Sequence, residues 1–351
     1  MGWGCVSARY WRLLIVIKSK KRFNLIGAVL LVPVAEFHGV LVGNILGMDM
    51  KILVTGKNGQ VGFELMRSLA PLGKVVGVDV KECDLAQSAA IDNLLERVRP
   101  DVIVNPAAYT EVDKAESEPT IAHAVNAQAP KILARYAARH NIPIIHFSTD
   151  YVFDGKKDAP YTEEDDANPR SVYGKTKWLG EDAVRKMAAK HIIIRTSWIF
   201  GSHGVNFLKT MLKLAAERDK LSVVSDQYGA PTSARVLADV VASIVKDLGE
   251  PGSYRKYGTY HVASLGEVSW HGYARLVVEK AIELGLKVKM SPEDIKPILS
   301  RDYPMPASRP ANSRLDTTRV REVFSVDLPG WEDEVERVIR DLVSAQDAVH
   351  S

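Results

Sequence analysis

Met50-Lys51-Ile52-Leu53-Val54-Thr55-Gly56-Lys57-Asn58-Gly59-Gln60-Val61-Gly62 is the stretch whose reading decides the fold. A short apolar run ends in Thr55-Gly56, the glycines Gly56, Gly59 and Gly62 fall at even spacing, and a helical pattern continues from Phe63 to Leu69. In a strand-to-helix turn the first glycine permits the tight bend, the second lets a pyrophosphate approach the backbone, and the third lets the helix pack closely on the strand. The free N–H groups and partial positive charge of the helix N-terminus suit phosphate. Taken alone, such a triplet also describes a flexible loop. Its setting selects the dinucleotide reading, because a second strand, Lys74 to Val78, ends in Asp79. A carboxylate there accepts hydrogen bonds from an adenosine ribose and repels a 2′-phosphate. Asp79 therefore favours NADH, with Lys74 and Lys81 working against that preference.

Outward from this unit the pattern alternates. Strands are expected at Lys51 to Val54, Lys74 to Val78, Val102 to Asn105, Ile144 to Phe147 and Ile192 to Arg195, with helical stretches between them. Alternation of this kind predicts an α/β fold with a doubly wound, Rossmann-like parallel sheet and its ligand at the carboxyl ends of the strands. Asp84-Leu85 and Asn105-Pro106-Ala107-Ala108 follow the next strand positions, where the rest of a dinucleotide lies, and small residues there keep the floor low. Pro119 and Pro130 fit first helical turns. Residues 50–200 are expected to form the NAD(P)-binding core. Residues 201–345, where alternation weakens and polar or Pro-rich loops intrude, are expected to form mainly a smaller substrate lobe, with some segments returning to the core.

Tyr173 and Lys177 lie four residues apart in a helical segment, on one face, and only this tyrosine has a lysine at that spacing. An ammonium beside a phenol stabilises the phenolate and lowers its pKa from about 10. The pair therefore reads as a tuned acid. An ordinary surface pair is the plainer reading, set aside because Ser148-Thr149-Asp150-Tyr151 ends the fourth strand close by. Thr149 is expected to hydrogen-bond a carbonyl oxygen, against the plainer role of bonding its own backbone. His146 reads as a satisfied strand histidine.

With 351 residues and 46% apolar content, the chain can bury a full core. Its formal charge of +3 is concentrated early: residues 1–49 hold six Lys/Arg and two Asp/Glu, leaving 40 basic against 41 acidic residues. No basic stripe argues for nucleic acid. Two cysteines, Cys5 and Cys83, make no disulfide framework, and no Cys/His spacing resembles a zinc site. A reduced, cytoplasmic protein is expected. Residues 1–49 carry basic Lys18 to Arg22 and an apolar run from Leu25 to Ala35, too short to span a bilayer. Of a signal peptide, an anchor and an extension preceding a start at Met48 or Met50, the last is favoured, and the core is expected to avoid membranes.

From Met50 to about residue 345 the chain resembles the dTDP-4-dehydrorhamnose reductase family of extended short-chain dehydrogenase/reductases. The resemblance rests on Gly56 to Gly62, Asn105 to Glu116, Ser148 to Gly155, Val172 to Lys177, Arg195 to Gly201, Gln227 to Thr232 and Arg309 to Asp316, in order. Pro106 departs mildly from the family's usual small residue. The resemblance implies NADH or NADPH held by Gly56, Asn58, Gly59, Gln60, Val61, Gly62, Asp79, Asp84, Leu85, Ala107, Ala108 and Tyr109, with Tyr173 and Lys177. It implies hydride transfer to the C4 carbonyl of a 6-deoxy-4-keto sugar, with Tyr173 as acid, Lys177 on the nicotinamide ribose and Thr149 on the carbonyl. For the nucleotide-sugar it implies Thr149, Asp150, Tyr151, Trp198, Gln227, Thr232, Arg309 and Asn312, with Arg309 foremost for the diphosphate. A homodimer is implied; magnesium is left open, and the residues supply no metal site. Related 4,6-dehydratases carry Thr-Asp-Glu where this chain has Thr149-Asp150-Tyr151, so elimination lacks its acid. A 4-epimerase is disfavoured by the Arg309 to Asp316 motif. A non-catalytic regulatory subunit like that of methionine adenosyltransferase would share the fold, and intact Thr149, Tyr173 and Lys177 weigh against it.

Overall fold

The structure is a computed structural model that describes residues 50–250 and 253–350. Cys5 and the apolar run from Leu25 to Ala35 lie outside the described residues. Among the described residues no helix is long and apolar enough to cross a membrane.

Chain order runs β1 (Lys51–Thr55), α1 (Gln60–Ser68), β2 (Lys74–Val78), α2 (Ser88–Val98), β3 (Val102–Asn105), α3 (Ala129–His140), β4 (Ile144–Thr149), α4 (Val172–Met187) and β5 (His191–Thr196). Then come α5 (Phe207–Glu217), α6 (Ala234–Leu248), β6 (Gly258–His261), α7 (Trp270–Glu283), α8 (Thr318–Phe324) and α9 (Trp331–His350). The six strands form one parallel sheet ordered β6-β5-β4-β3-β1-β2. The order reverses between β1 and β3, so the crevice for a ligand opens there.

Both sheet faces are covered, which explains near-continuous apolar strands. Side chains alternate between faces. Ile52, Val54, Val104 and Ile145 pack with Leu65 of α1, Leu237 and Val241 of α6 and Phe324 of α8. Leu53, Ile103, Ile144 and Ile193 face the other way, onto Ile91 and Leu95 of α2 and Leu133 and Ala137 of α3. Full burial of such a side chain contributes about 1.5–3 kcal/mol.

The sheet is one strand wider than expected. Gly258-Thr259-Tyr260-His261 carries little apolar signal, yet pairs in parallel with Ile192 to Arg195. Residues beyond 200 thus divide between two places: α6, β6 and α8 pack on the sheet, whereas α5, α7 and α9 surround a separate core of Leu208, Met211, Tyr273, Val277, Val335 and Ile339. Pro119 opens the short helix Pro119–His123 and Pro130 sits in the first turn of α3. Between them Ala124–Gln128 forms a π-helical turn that buries Asn126, whose amide clamps the backbone of Tyr109 at 2.8 Å and 3.1 Å.

Candidate active site

A cavity of about 710 Å³ runs across the carboxyl ends of the strands. It is lined by Gly56, Asn58, Gly59, Gln60, Val61 and Gly62, then by Asp79, Asp84, Leu85, Ala107 and Ala108, and at its far end by Thr149, Asp150, Tyr151, Tyr173 and Trp198. Its size suits a cofactor-scale ligand. Gly56 has φ +62°, a left-handed conformation that suits glycine. A Cβ on Gly62 would lie 1.9 Å from the Gly56 carbonyl oxygen, so α1 packs against the turn as only glycine allows. Asp79 accepts the Asn58 N–H at 2.9 Å and the Val80 N–H at 2.8 Å, which ties the glycine loop to the end of β2.

The cation near Asp79 differs from expectation. Lys74 opens β2, and at about 3.3 Å per residue it stands roughly 16 Å from Asp79, too far to soften its charge. Lys57 instead pairs with Glu82 at 2.6 Å, and Glu82 also accepts the Asp79 N–H at 2.9 Å. A strap from the other lobe crosses the same loop. His203 bonds the Asn58 carbonyl at 2.9 Å and stacks on Phe63 at 4.2 Å, while Asn206 donates to the Gln60 side chain at 2.9 Å.

Local sequence fixes the helix that carries Tyr173. Ser171 accepts the Gly174 N–H at 3.1 Å as an N-cap, and Glu116 accepts the Val172 N–H at 2.8 Å. Gly174 lets this first turn press on the Tyr151 carbonyl, which a Cβ would meet at 2.2 Å. Tyr173 then faces Tyr151 edge-on at 5.4 Å between ring centres. Burial pushes the Tyr173 phenol well above its usual pKa; the facing Thr149 hydroxyl opposes this, and Asp150 adds to it.

Lys177, expected to stabilise the Tyr173 phenolate, turns its ammonium to a strand carbonyl. Its ammonium donates to the Phe147 carbonyl at 2.6 Å, and burial brings its pKa down to about 8, with Glu181 opposing. It is buried and is not among the residues that line the cavity. Burial therefore favours the protonated phenol, and no cation of the described residues offsets it.

Thr149 makes the local backbone bond weighed for it and also lines the cavity. It accepts the Tyr151 N–H at 3.2 Å and donates to Asp150 Oδ1 at 3.0 Å, while lining the cavity. Burial raises the Asp150 pKa to about 6, with hydrogen bonds from Ser313 and Thr149 pulling it down. Beside it, the Ser148 and Thr196 hydroxyls are buried without a protein partner and line the same cavity. His146 is only half satisfied. Asn105 donates to its Nδ1 at 3.0 Å, Thr55 donates to Asn105 at 2.6 Å, and Nε2 has no partner; burial holds the ring neutral.

The other named residues divide sharply. Trp198, at φ +49°, stacks on Trp270 at 3.6 Å, and both line the cavity. Tyr109 turns its hydroxyl to Glu118 at 2.6 Å and lies outside the lining. Asn312 is spent on the chain itself, donating to the Lys157 and Ala159 carbonyls at 2.7 Å and 2.9 Å and accepting from Arg314 at 2.8 Å. Thr232 is fully buried and donates to the Ala230 carbonyl at 3.2 Å. Gln227 is buried outside the cavity. Arg309 is not a free guanidinium: it grips Asp113 at 2.7 Å and 3.0 Å. Residues missed from sequence include Ser148, Thr196 and Ser197, whose positions at strand ends were the available signal, and Trp270, which only the tertiary stack brings in. Among the described residues no group of three His, Cys, Asp or Glu is placed to hold a metal ion.

A parallel sheet with a glycine-rich turn, a carboxylate after the second strand and a shielded Tyr/Thr pair at the far end define an NAD(P)-dependent oxidoreductase of the short-chain type. The chain belongs to the RmlD substrate binding domain family, whose model matches residues 50–344. It is 45% identical over 298 residues to the dTDP-4-dehydrorhamnose reductase of Salmonella typhimurium, covering 84% of this chain and 98% of that one. It is 43% identical to the enzyme of the same name from Escherichia coli, again over 84% of this chain and 98% of that one. A dTDP-4-dehydrorhamnose reductase structure from Bacillus anthracis, in complex with NADP, superposes with a TM-score of 0.77 at 32% identity, over 84% of this chain and all of that one.

Proposed function

We propose that this protein uses NADH or NADPH to reduce the C4 keto group of dTDP-6-deoxy-L-lyxo-4-hexulose, giving dTDP-L-rhamnose for cell-surface polysaccharide. The observation that carries this reading is the placement of Tyr173, Thr149 and the Gly56–Gly62 turn on one continuous cavity. The family membership and the named relatives support it. When bound, the nicotinamide supplies the hydride.

Tyr173 gives its proton to the sugar oxygen as negative charge develops there. Its protonated state in the buried site suits it to that single role. Thr149 holds the same oxygen by hydrogen bond. Lys177 keeps N–H donors beyond the one given to Phe147, and it meets a ribose hydroxyl by turning its ammonium toward the cavity when the cofactor binds. Asp79 takes the adenosine ribose, and the unpartnered Ser148 and Thr196 hydroxyls serve the bound ligands deeper in the cavity. Trp198 and Tyr151 flank the sugar, and Tyr151 stands where a dehydratase needs a carboxylic acid. Arg309 meets the diphosphate with the donors that Asp113 leaves over. The helical lobe around α5, α7 and α9 is the substrate lobe. We place the enzyme in the cytoplasm as a homodimer.

Stoichiometry tests the reading. One NAD(P)H oxidised per sugar reduced supports a reductase; conversion of the sugar with no net cofactor consumption would assign an epimerase or dehydratase instead.

A further inference from the structure

Asp150 is buried, lines the cavity, and leaves one carboxyl oxygen without a partner. Its other oxygen, Oδ1, lies 3.0 Å from the Thr149 hydroxyl. Thr149 has one proton and two lone pairs, and one lone pair already accepts the Tyr151 N–H at 3.2 Å. The hydrogen-bond count then depends on Asp150. If Asp150 is a carboxylate, it draws the only Thr149 proton to Oδ1 and away from a substrate oxygen. If Asp150 is a neutral acid, it donates to Thr149, which accepts twice and turns its proton toward the cavity.

We propose that Asp150 is a positioning residue whose neutral form frees the Thr149 hydroxyl to donate to the sugar carbonyl. This deepens the reductase reading and rests on it. No covalent step is involved: the Asp150 proton moves into a hydrogen bond with Thr149 Oγ1, and the Thr149 proton moves into one with the substrate oxygen.

The surroundings shift Asp150 toward its neutral form. Tyr151, on the same turn, and Tyr173, from α4, are the titratable groups that face Asp150, and both are held protonated by burial. From the loop after Arg309 the facing group is the Ser313 hydroxyl, and the Arg309 charge acts on Tyr151. No cation appears among the influences on Asp150, and burial raises its pKa to about 6. Bringing two anionic ligands into the cavity acts in the same direction.

The test compares the parent, Asp150→Asn and Asp150→Ala in kcat against pH, with the keto-sugar and saturating NADPH. Asparagine keeps a donor for Thr149 at every pH; alanine has none. The parent is expected to lose kcat with rising pH through an ionisation above 6. Asp150→Asn should lose that limb and stay within about tenfold of the parent at low pH; Asp150→Ala, which also takes away the acceptor for the Thr149 proton but no longer orients the hydroxyl, should lose the limb too, with a low-pH kcat below that of Asp150→Asn. A limb that persists in either variant would overturn the proposal.

A carbon-13 carboxyl titration of the NADP-bound protein reads Asp150 independently of turnover, with Asp150→Asn identifying its signal. A midpoint above 6 supports the proposal, and one at or below the ordinary value of about 4 overturns it. If the parent does not turn over the sugar, the reductase reading fails, and this titration alone decides the ionisation of Asp150.

Discussion

Glu181 of α4 and Arg195 of β5 form a buried bidentate ion pair, with Nη2 at 2.8 Å from Oε2 and Nε at 3.0 Å from Oε1. Glu181 lies one helical turn beyond Lys177, so the pair bolts the helix carrying Tyr173 and Lys177 to the sheet. The Arg195 guanidinium also lies 5.1 Å from the centre of the Phe153 ring. Removing Glu181 leaves the Arg195 charge in the interior, and removing Arg195 leaves Glu181 with only the half-exposed Arg185, whose Nη2 lies 3.0 Å from Oε2. We expect Glu181→Leu to cost about 3–5 kcal/mol, Arg195→Met to cost less because Arg185 still pairs with Glu181, and the double variant to recover most of the Glu181→Leu loss. Denaturant unfolding of the four proteins checks this; additive losses would contradict it.

Lys177 sets a pH dependence of stability. Its folded pKa of about 8 lies below the unfolded value, so the folded state resists its charge. The penalty is complete below pH 8 and fades as pH rises toward about 10.4, because there the unfolded chain binds the extra proton. Lys177→Met should therefore gain stability relative to the parent at pH 7, and that gain should shrink between pH 8 and 10. Thermal unfolding midpoints across this range provide the measurement.

Asp79 should govern the choice of cofactor. Replacement by serine removes the charge that repels a 2′-phosphate while leaving the Lys57–Glu82 pair in place. The ratio of kcat/KM for NADPH to that for NADH should rise roughly tenfold, equivalent to about 1.4 kcal/mol. An unchanged ratio would show that Asp79 serves only the Asn58 N–H.

Gly62 tests the turn itself. An alanine there meets the Gly56 carbonyl oxygen at 1.9 Å, and backbone has to move. Gly62→Ala should lose about 1–3 kcal/mol of stability. Dinucleotide binding, measured by calorimetry, should weaken with it.

The first five strands and their parallel arrangement were legible because apolar runs buried on both faces alternate with helical periods. β6 was not, since Thr259 and His261 are polar and the strand is recognised only by its neighbour, β5. The glycine turn, Asp79, Thr149 and Tyr173 were legible because each is bound to a local position, the end of a strand or the first turn of a helix. What sequence could not supply was the direction of long side chains. Lys177 shares a helix face with Tyr173 yet spends its charge on a strand carbonyl 30 residues away. Arg309 and Asn312 read as ligand contacts by residue type, but tertiary partners at Asp113, Lys157 and Ala159 claim them. Trp270 enters the site from α7 by stacking on Trp198, a contact no spacing announces.

The central claim is that hydride goes to the sugar C4 while Tyr173 supplies the proton. The most direct measurement is the product formed from dTDP-6-deoxy-L-lyxo-4-hexulose with NADPH deuterated at the transferable position, by the parent and by Tyr173→Phe. The account predicts deuterium at C4 of the reduced sugar, and a loss of at least about a hundredfold in rate without the phenol. Deuterium elsewhere in the product, or a Tyr173→Phe variant that turns over at the parental rate, would contradict it.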